Sequence, residues 1–455
     1  MRSTTSLPRS RRGLSDAVDR HWFRLLLGGS ALVVGVVTLL QFWAAPFYIN
    51  KDSALFQHAG WSILNGAELY VDIWDLKPPL IYFVTVVLAA VSFGDMAVLH
   101  VLSVIVAVAA VVAGITLVGV LTHRLTDDGV AAILAAGSML VLTSLYGFPY
   151  AGIRPKYLAF CCGVGALVLA VDDRPFVAGG VGAMAAGFWQ LGAPIALLVV
   201  GMSAQRGGWD GLWRAIGGGA TVTVLTVVPF VAQGNAVPLF VETVLAPLYG
   251  VEGYTIVGRL LRFVIEIGYG VAIVPLAVAG WGLAVADRDH WWVAVGGGLY
   301  LFQLFLEFQG AIELVLLFVF LAVGVGLLVA EWSRPSSRAV IAGCVVLLIV
   351  TSGYWNLHGV VGESPEPPGR AAIDAEYDRW EVPKYDSLPD DPEGWPSMET
   401  IYWEKRQPDQ CHYRLGLKQQ YFEQETGGSL YKSTCGQWPF AEPPAEWLAG
   451  AVLPG

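Results

Sequence analysis

Eight apolar stretches, near residues 25–47, 95–121, 129–147, 214–232, 262–286, 291–308, 311–330 and 339–356, are each long enough to cross about 30 Å of bilayer hydrocarbon. A ninth, 156–171, fits with tilt or local thinning. Lipid offers backbone N–H and C=O groups no partner, so such segments must be helices that satisfy themselves. An all-α polytopic membrane protein is therefore expected. Charge usage agrees, because 14% of the 455 residues are charged and 55% apolar, whereas a soluble domain needs roughly 25% charged. No basic stripe of the kind that tracks nucleic acid is present.

Two stretches are ambiguous. Residues 80–93 (LIYFVTVVLAAVSF) are 14 long and follow Pro78-Pro79, which favours an interfacial or re-entrant helix. Residues 176–203 are too long for one comfortable pass and carry Gln190-Leu191-Gly192-Ala193-Pro194 in the middle, which favours two short spans with a turn. These choices give eleven spans (the opposite choice at both places does too), with the N-terminus inside and the tail outside. Arg124, Arg174, Arg206, Arg214, Arg288, Arg334 and Arg338 then face the cytoplasm, as the positive-inside bias expects.

Three regions follow. Residues 1–24 form a cytoplasmic segment rich in arginine, from Arg2 to Arg24. The apolar run behind it is too long for a signal-peptide core and is read as an uncleaved first span. Residues 25–356 form the transmembrane domain, with an outer loop at 48–79. Residues 357–455 form a small acidic extracytoplasmic C-terminal domain. From His358 onward there are 17 Asp/Glu and 8 Lys/Arg, which accounts for −9 of the net −10. A lid or acceptor-docking module is expected there, with a solubilising tail as the plainer alternative. Cys411 and Cys435 stand alone in this tail and are a disulfide candidate if it lies outside the cytoplasm; two free thiols are the alternative. Cys161, Cys162 and Cys344 sit in apolar segments as small buried residues.

Chemistry concentrates in two outer loops. The first, YINKDSALFQHAGWSILNGAELYVDIWDLKPP, carries Lys51, Asp52, Glu68, Asp72, Asp75 and Lys77 among many aromatics. Leu55, Ala59 and Ile63 share a helical face there, so a helix lying on the membrane surface is expected, ending at Asn65-Gly66. The second loop, GFPYAGIRPKY, places Arg154 and Lys156 at the start of a span. Plainer roles exist for each. Asp52 would cap a helix beginning at Ser53, and Asp72 and Asp75 would be solvated loop acids. Lys77 would snorkel, and Arg154 and Lys156 would anchor a helix end to headgroups. His58 and His100 lack partners at ligand spacing, so no metal site is expected.

The combination resembles the lipid-phosphate-dependent glycosyltransferases of the protein mannosyltransferase superfamily, which have the GT-C fold and include the dolichyl-phosphate-mannose type. The carrying residues are Asp52 just beyond the first span, Asn65-Gly66 followed by Tyr70 and Asp72, and Lys77-Pro78-Pro79-Leu80 leading into Tyr82 and Phe83. The resemblance covers about residues 25–200 and implies that Asp52 is the catalytic base and that Lys77 lies near the lipid phosphate. It also implies that Arg154 occupies a second polar motif. Two departures stand out. Some relatives have Glu before the KPP lysine where this chain has Leu76, its nearest acid being Asp75, and relatives often have an acid in the second motif, where this chain has Arg154-Pro155-Lys156. Both weaken the case for a bound divalent cation, and no cofactor is expected.

The chemistry fits independently. A sugar on polyprenyl phosphate leaves behind a phosphate that fixed cations can stabilise, and arginine matches phosphate oxygens geometrically. The acceptor hydroxyl needs a carboxylate base within hydrogen-bond reach. Asp52, Lys77, Arg154 and Lys156 supply that set, with Asp72 and Asp75 as further substrate-binding candidates. The expected activity moves a hexose such as mannose from a dolichyl- or polyprenyl-phosphate sugar to an outward-facing glycan, on lipid or protein, at the extracytoplasmic side of the cell membrane. A protein O-mannosyltransferase or lipid-glycan glycosyltransferase keeps the same fold. A transporter or flippase would want acids deep within spans; Glu266, Glu307 and Glu313 are the candidates, each near a predicted span end.

Overall fold

A computed structural model describes residues 9–249, 255–306, 308, 310–332, 335–358, 365–380, 396–406 and 417–425. Among these the chain is helical, apart from one isolated bridge between Leu69 and Ile73. Six helical segments are long and apolar enough to span a membrane: Val18–Ala44, Met96–Thr126, Gln190–Ala232, Ile256–Ala286, Ala311–Glu331 and Ser336–Leu357. A seventh is counted if the pair Gly129–Val141 and Ser144–Ala151, bent by 73°, is one crossing. The protein is thus an all-α, multi-pass integral membrane protein. The expected figure of about eleven is not reached by full-length helices, because breaks shorten several of them.

The first half comprises α1 (Arg9–Ala44), α2 (Lys51–Leu64), α3 (Leu80–Val91), α4 (Met96–Thr126), α5 (Gly129–Ser138), α6 (Ser144–Gly147), α7 (Pro155–Val171), α8 (Pro175–Phe188) and α9 (Ala193–Ala232). As expected, the Pro78-Pro79 pair starts a helix too short for a full crossing, and the 176–203 stretch breaks at residues 189–192. A second break lies in the middle of α9, between the stretches 176–203 and 214–232. Gly208 takes φ 57° and ψ −143° inside it, a conformation open only to glycine. A Cβ on Gly211 would sit 2.2 Å from the carbonyl oxygen of Ser203. Eight residues of straight helix would separate those two by about 12 Å, so the chain doubles back at Gly208.

The second half runs through α10 (Ala236–Phe240), a π-helical turn Val241–Leu245, α11 (Ala246–Tyr249), α12 (Ile256–Ile267), α13 (Ile273–Ala286), α14 (Trp291–Leu306), α15 (Val315–Glu331) and α16 (Pro335–Leu357). Every residue from Val315 to Val329 in α15 is buried, which is why that sequence is apolar all round. It is the hub of the bundle. Small residues let α13 approach it: a Cβ on Gly280 would lie 1.8 Å from the Gly324 carbonyl oxygen, and Trp281 Nε1 donates to the Phe320 carbonyl at 2.9 Å. Close backbone approach of this kind drives helix association where the hydrophobic effect is absent.

Arginines tie helix ends together at one end of the bundle. Arg124 pairs with Asp172 (3.2 Å) and Arg338 with Asp128 (2.6 Å). Arg206 donates to the terminal carbonyls of α7, Ala170 (2.9 Å) and Val171 (2.6 Å), which suits the negative end of a helix dipole. The opposite end carries the 48–79 loop, the 148–156 turn, the 189–192 break and three short C-terminal helices: α17 (Arg370–Trp380), α18 (Met398–Trp403) and α19 (Leu417–Glu425).

Those C-terminal helices dock on the loops rather than standing apart. Tyr402 is fully buried and donates its hydroxyl to Gln57 Oε1 (3.1 Å) and the Met96 carbonyl (2.5 Å). His58 Nε2 donates to the Arg406 carbonyl at 3.0 Å, leaving Nδ1 to accept from Ser62 at 3.4 Å. In consequence α2 does not lie on a surface as its pattern suggested, because Ser53, Ala54 and everything from Phe56 to Ser62 are buried. Its apolar face packs on α3, where a Cβ on Gly60 would meet the Thr85 backbone at 2.5 Å, and its polar face is covered by α18.

Candidate functional site

Helix α2 begins two residues earlier than the Ser53 start that an Asp52 cap implies, at Lys51, and its cap is Asn50, whose side chain accepts from the Ser53 amide at 3.1 Å. Asp52 is therefore not the cap. It stands exposed in the first turn, where a helix N-terminus favours a carboxylate.

The N-terminus of α7 lies beside it. Ser53 Oγ donates to the Ile153 carbonyl at 2.9 Å, so the neighbours of that pair, Asp52 and Arg154, belong to adjoining helix starts. Gly152 makes the approach feasible. It takes φ 105°, and a Cβ there would fall 2.7 Å from Gln57 Nε2 and 2.9 Å from Ser103 Oγ. Arg154 precedes Pro155 at the first turn of α7, and its guanidinium carbon lies 5.9 Å from the centre of the Phe148 ring. Its Nε is buried with no hydrogen-bond partner among the described residues.

The loop holding Lys77 folds on itself. Tyr70 donates its hydroxyl to the Lys77 carbonyl at 2.7 Å. Asp75 accepts from the Leu76 amide (2.8 Å) and from the Tyr82 hydroxyl. Burial pushes the Asp75 carboxyl above the ordinary aspartate range; the Lys77 ammonium, the Tyr82 hydroxyl and the Leu76 amide pull it down, and the Asp52 carboxylate pushes it up. Burial likewise raises the Tyr70 phenol, with Asp75 and Glu242 adding to the effect. Asp75, Lys77 and Asp52 therefore share one electrostatic neighbourhood. Lys156 joins them, for its ammonium is acted on by Glu313, Lys77 and Asp52.

Lys156 Nζ makes a 2.9 Å ion pair with Glu313 and lies 5.6 Å from the centre of the Trp189 ring. Asp72 is not drawn in: it is exposed and accepts from the Glu68 amide at 2.8 Å, closing a local turn. Glu68 in turn accepts from Asn235 at 2.9 Å. Cys411 and Cys435 lie outside the described residues, as does Glu307. No group of three or more His, Cys, Asp or Glu able to hold a metal ion occurs among the described residues.

Several wall residues escaped the sequence. Gln190 donates to the carbonyls of Leu76 (2.5 Å) and Thr243 (3.2 Å), bridging the Lys77 loop to the π-helical turn. That turn holds Glu242, fully buried, which accepts from Gln419 at 2.6 Å. Glu242 is the one acid in the apolar stretch 236–249, a signal that could have marked it, although the acids singled out from the sequence did not include it.

A family profile described as DolP-mannose mannosyltransferase matches residues 66–228. The dolichol phosphate-mannose mannosyltransferase of Haloferax volcanii is 28% identical over 420 residues, covering 86% of this chain and 91% of that protein. The crystal structure of ArnT from Cupriavidus metallidurans, bound to undecaprenyl phosphate, has the same fold at 16% identity, with a TM-score of 0.53 over 88% of this chain and 78% of that one.

Proposed function

We propose that this chain, a GT-C lipid-phosphate-dependent glycosyltransferase related to the DolP-mannose mannosyltransferases, moves mannose from a dolichyl- or polyprenyl-phosphate donor to a glycan acceptor. The observation that carries the proposal is the Ser53–Ile153 bond, which sets a carboxylate and a guanidinium at adjoining helix starts, with Lys77 in the same electrostatic neighbourhood as Asp52.

In the proposed reaction the acceptor hydroxyl oxygen attacks the anomeric carbon while the bond from that carbon to the phosphate oxygen breaks. Asp52 takes the hydroxyl proton, and the lipid phosphate leaves with the bonding pair. Lys77 and Arg154 meet the charge that develops on it, so the step needs no cofactor. Asp75 holds the Lys77 loop through Tyr82 and Leu76. Asp72, exposed and held in a local turn by the Glu68 amide, stays a candidate for binding substrate.

The proposed topology counts eleven crossings, N-terminus inside. It adds to the seven long candidates the shorter apolar helices Pro155–Val171, Pro175–Phe188 and Trp291–Phe305, and divides Gln190–Ala232 at Gly208. Residues 1–24 are then cytoplasmic and 25–356 form the transmembrane domain. Residues 357–455 form an extracytoplasmic module whose α18 covers the helix carrying Asp52 and whose α19 reaches Glu242. The arginine ties at the opposite end support this orientation.

The test is transfer of radiolabelled mannose from polyprenyl-phosphate mannose by the purified protein in detergent or nanodiscs, with a cell-derived glycan acceptor. Label should appear in the glycan, with polyprenyl phosphate released in equal amount. Label that stays on the lipid with every acceptor, or that crosses a vesicle bilayer still attached to it, would overturn the assignment.

A further inference from the structure

We infer that Lys156, Glu313 and Trp189 form the subsite for the sugar ring of the donor, separate from the cations that meet its phosphate; the inference rests on the donor class proposed above. The Lys156–Glu313 pair is 2.9 Å long, with side chains only 12% and 11% exposed. Stability alone gives no reason to keep it. An enclosed ion pair loses so much solvation that apolar residues of similar volume usually serve as well or better.

Its surroundings are arranged with care. Lys156 stands over the Trp189 ring at 5.6 Å. The break bearing Trp189 is fixed by Gln190 to Leu76 and Thr243, and by Tyr300, which donates to the Leu191 carbonyl at 2.6 Å. Glu313 lies in the short turn Ala311–Leu314, whose first amide donates to Glu266 at 2.9 Å, and Glu266 is held by Arg262 at 2.7 Å. Both members of the pair are thus anchored from behind, while Lys156 shares the electrostatic neighbourhood of Lys77 and Asp52.

Chemistry separates the two ligand halves. Glu313 balances the charge of Lys156 and would repel a phosphate, whereas Lys77 and Arg154 have no such ion-pair partner among the described residues. Sugar hydroxyls both donate and accept. An ammonium carries three donors, so the bond to Glu313 leaves Lys156 donors for sugar hydroxyls. An adjacent indole adds an apolar body with a polar edge.

The experiment compares binding of polyprenyl phosphate and polyprenyl-phosphate mannose to the full chain in nanodiscs. Wild type should bind the sugar-bearing lipid at least about tenfold more tightly, the increment expected of one or two charge-assisted bonds. The double variant Lys156→Met/Glu313→Leu removes both charges together. It should keep its affinity for the bare phosphate within about twofold, lose the sugar increment and transfer mannose at least about tenfold more slowly. Should it fail to fold, Glu313→Asp keeps the charge and shortens the reach, and it should lower the increment in the same direction. A folded double variant with the wild-type increment, or an unchanged increment in Glu313→Asp where the double variant does not fold, would reduce the pair to a packing device. Wild type that binds both lipids equally would overturn the subsite alone; wild type that binds neither would overturn the donor assignment as well.

Discussion

Ser53 donates its hydroxyl to the Ile153 carbonyl at 2.9 Å across 100 residues of sequence, and this single bond joins the helix carrying Asp52 to the one begun by Arg154. Ser53→Ala removes a buried donor, at a cost of about 1–3 kcal/mol. Mannose transfer should fall by about tenfold as the two helix starts drift apart, and Ser53→Thr, which keeps the hydroxyl, should lie nearer wild type. Equal transfer by wild type and Ala would show that this bond does not set the spacing.

Asp52→Asn separates proton acceptance from structure. Because Asn50 supplies the cap, the change should leave membrane protein levels untouched. Loss of a general base should lower turnover by roughly 10²-fold or more. Near-normal transfer by Asp52→Asn, assayed at equal protein level, would end its candidacy as the base.

Lys77→Ala and Arg154→Ala should act on the donor. Each removes one cation proposed to meet the lipid phosphate, so KM for polyprenyl-phosphate mannose should rise by about tenfold, within the range for hydrogen bonds to charged groups. Lys77→Arg should restore part of the loss. A KM unchanged in both alanine variants would move the phosphate elsewhere.

Asp75 makes a pH-dependent prediction of definite sign. Burial holds its carboxyl above the ordinary aspartate range, so the folded protein keeps this proton to higher pH than the unfolded chain does. The linked stability is fully present below the ordinary range and is lost as pH rises through the raised value. Asp75→Asn cannot titrate. The Tm of wild type relative to Asp75→Asn should therefore fall as pH rises from about 4, the ordinary aspartate value, through the raised value, and then level off. A difference that does not change with pH would mean that the carboxyl titrates as an ordinary one.

Orientation is open to direct labelling. A cysteine introduced at Glu366 or Asp374, beside or within α17, should react with a membrane-impermeant thiol reagent on intact cells, whereas one at Asp210, next to the Gly208 reversal, should react only after lysis. The reverse pattern would turn the bundle over and put the donor on the wrong face.

Much of the frame was legible because it depends on local composition. Pro78-Pro79 starts α3, Asn65 closes α2, and the break before Ala193 falls inside the Gln190–Pro194 punctuation. What stayed hidden depends on distant partners. Asp52 and Asn50 are both competent caps, and only the Ser53 amide decides between them. Lys156 reads as a headgroup anchor until Glu313, 157 residues away, is seen against it. Helix α2 has the pattern of a surface helix because its polar face, Gln57 and His58, waits for Tyr402 and Arg406. Helix α9 reads as separate spans in sequence, yet only the backbone of Gly208 tells where the chain reverses.

The docking of α18 also sets a timetable. The Arg406 carbonyl that receives His58 is made 348 residues after it, which at about 5–20 residues per second is roughly 17–70 s of ribosome time. Through that interval the helix carrying Asp52 has left the translocon with Gln57 and His58 uncovered, while the later crossings are still being threaded. A chain that stops before residue 402 never acquires the Tyr402 and Arg406 contacts that cover Gln57 and His58, so the helix carrying Asp52 stays open on that side.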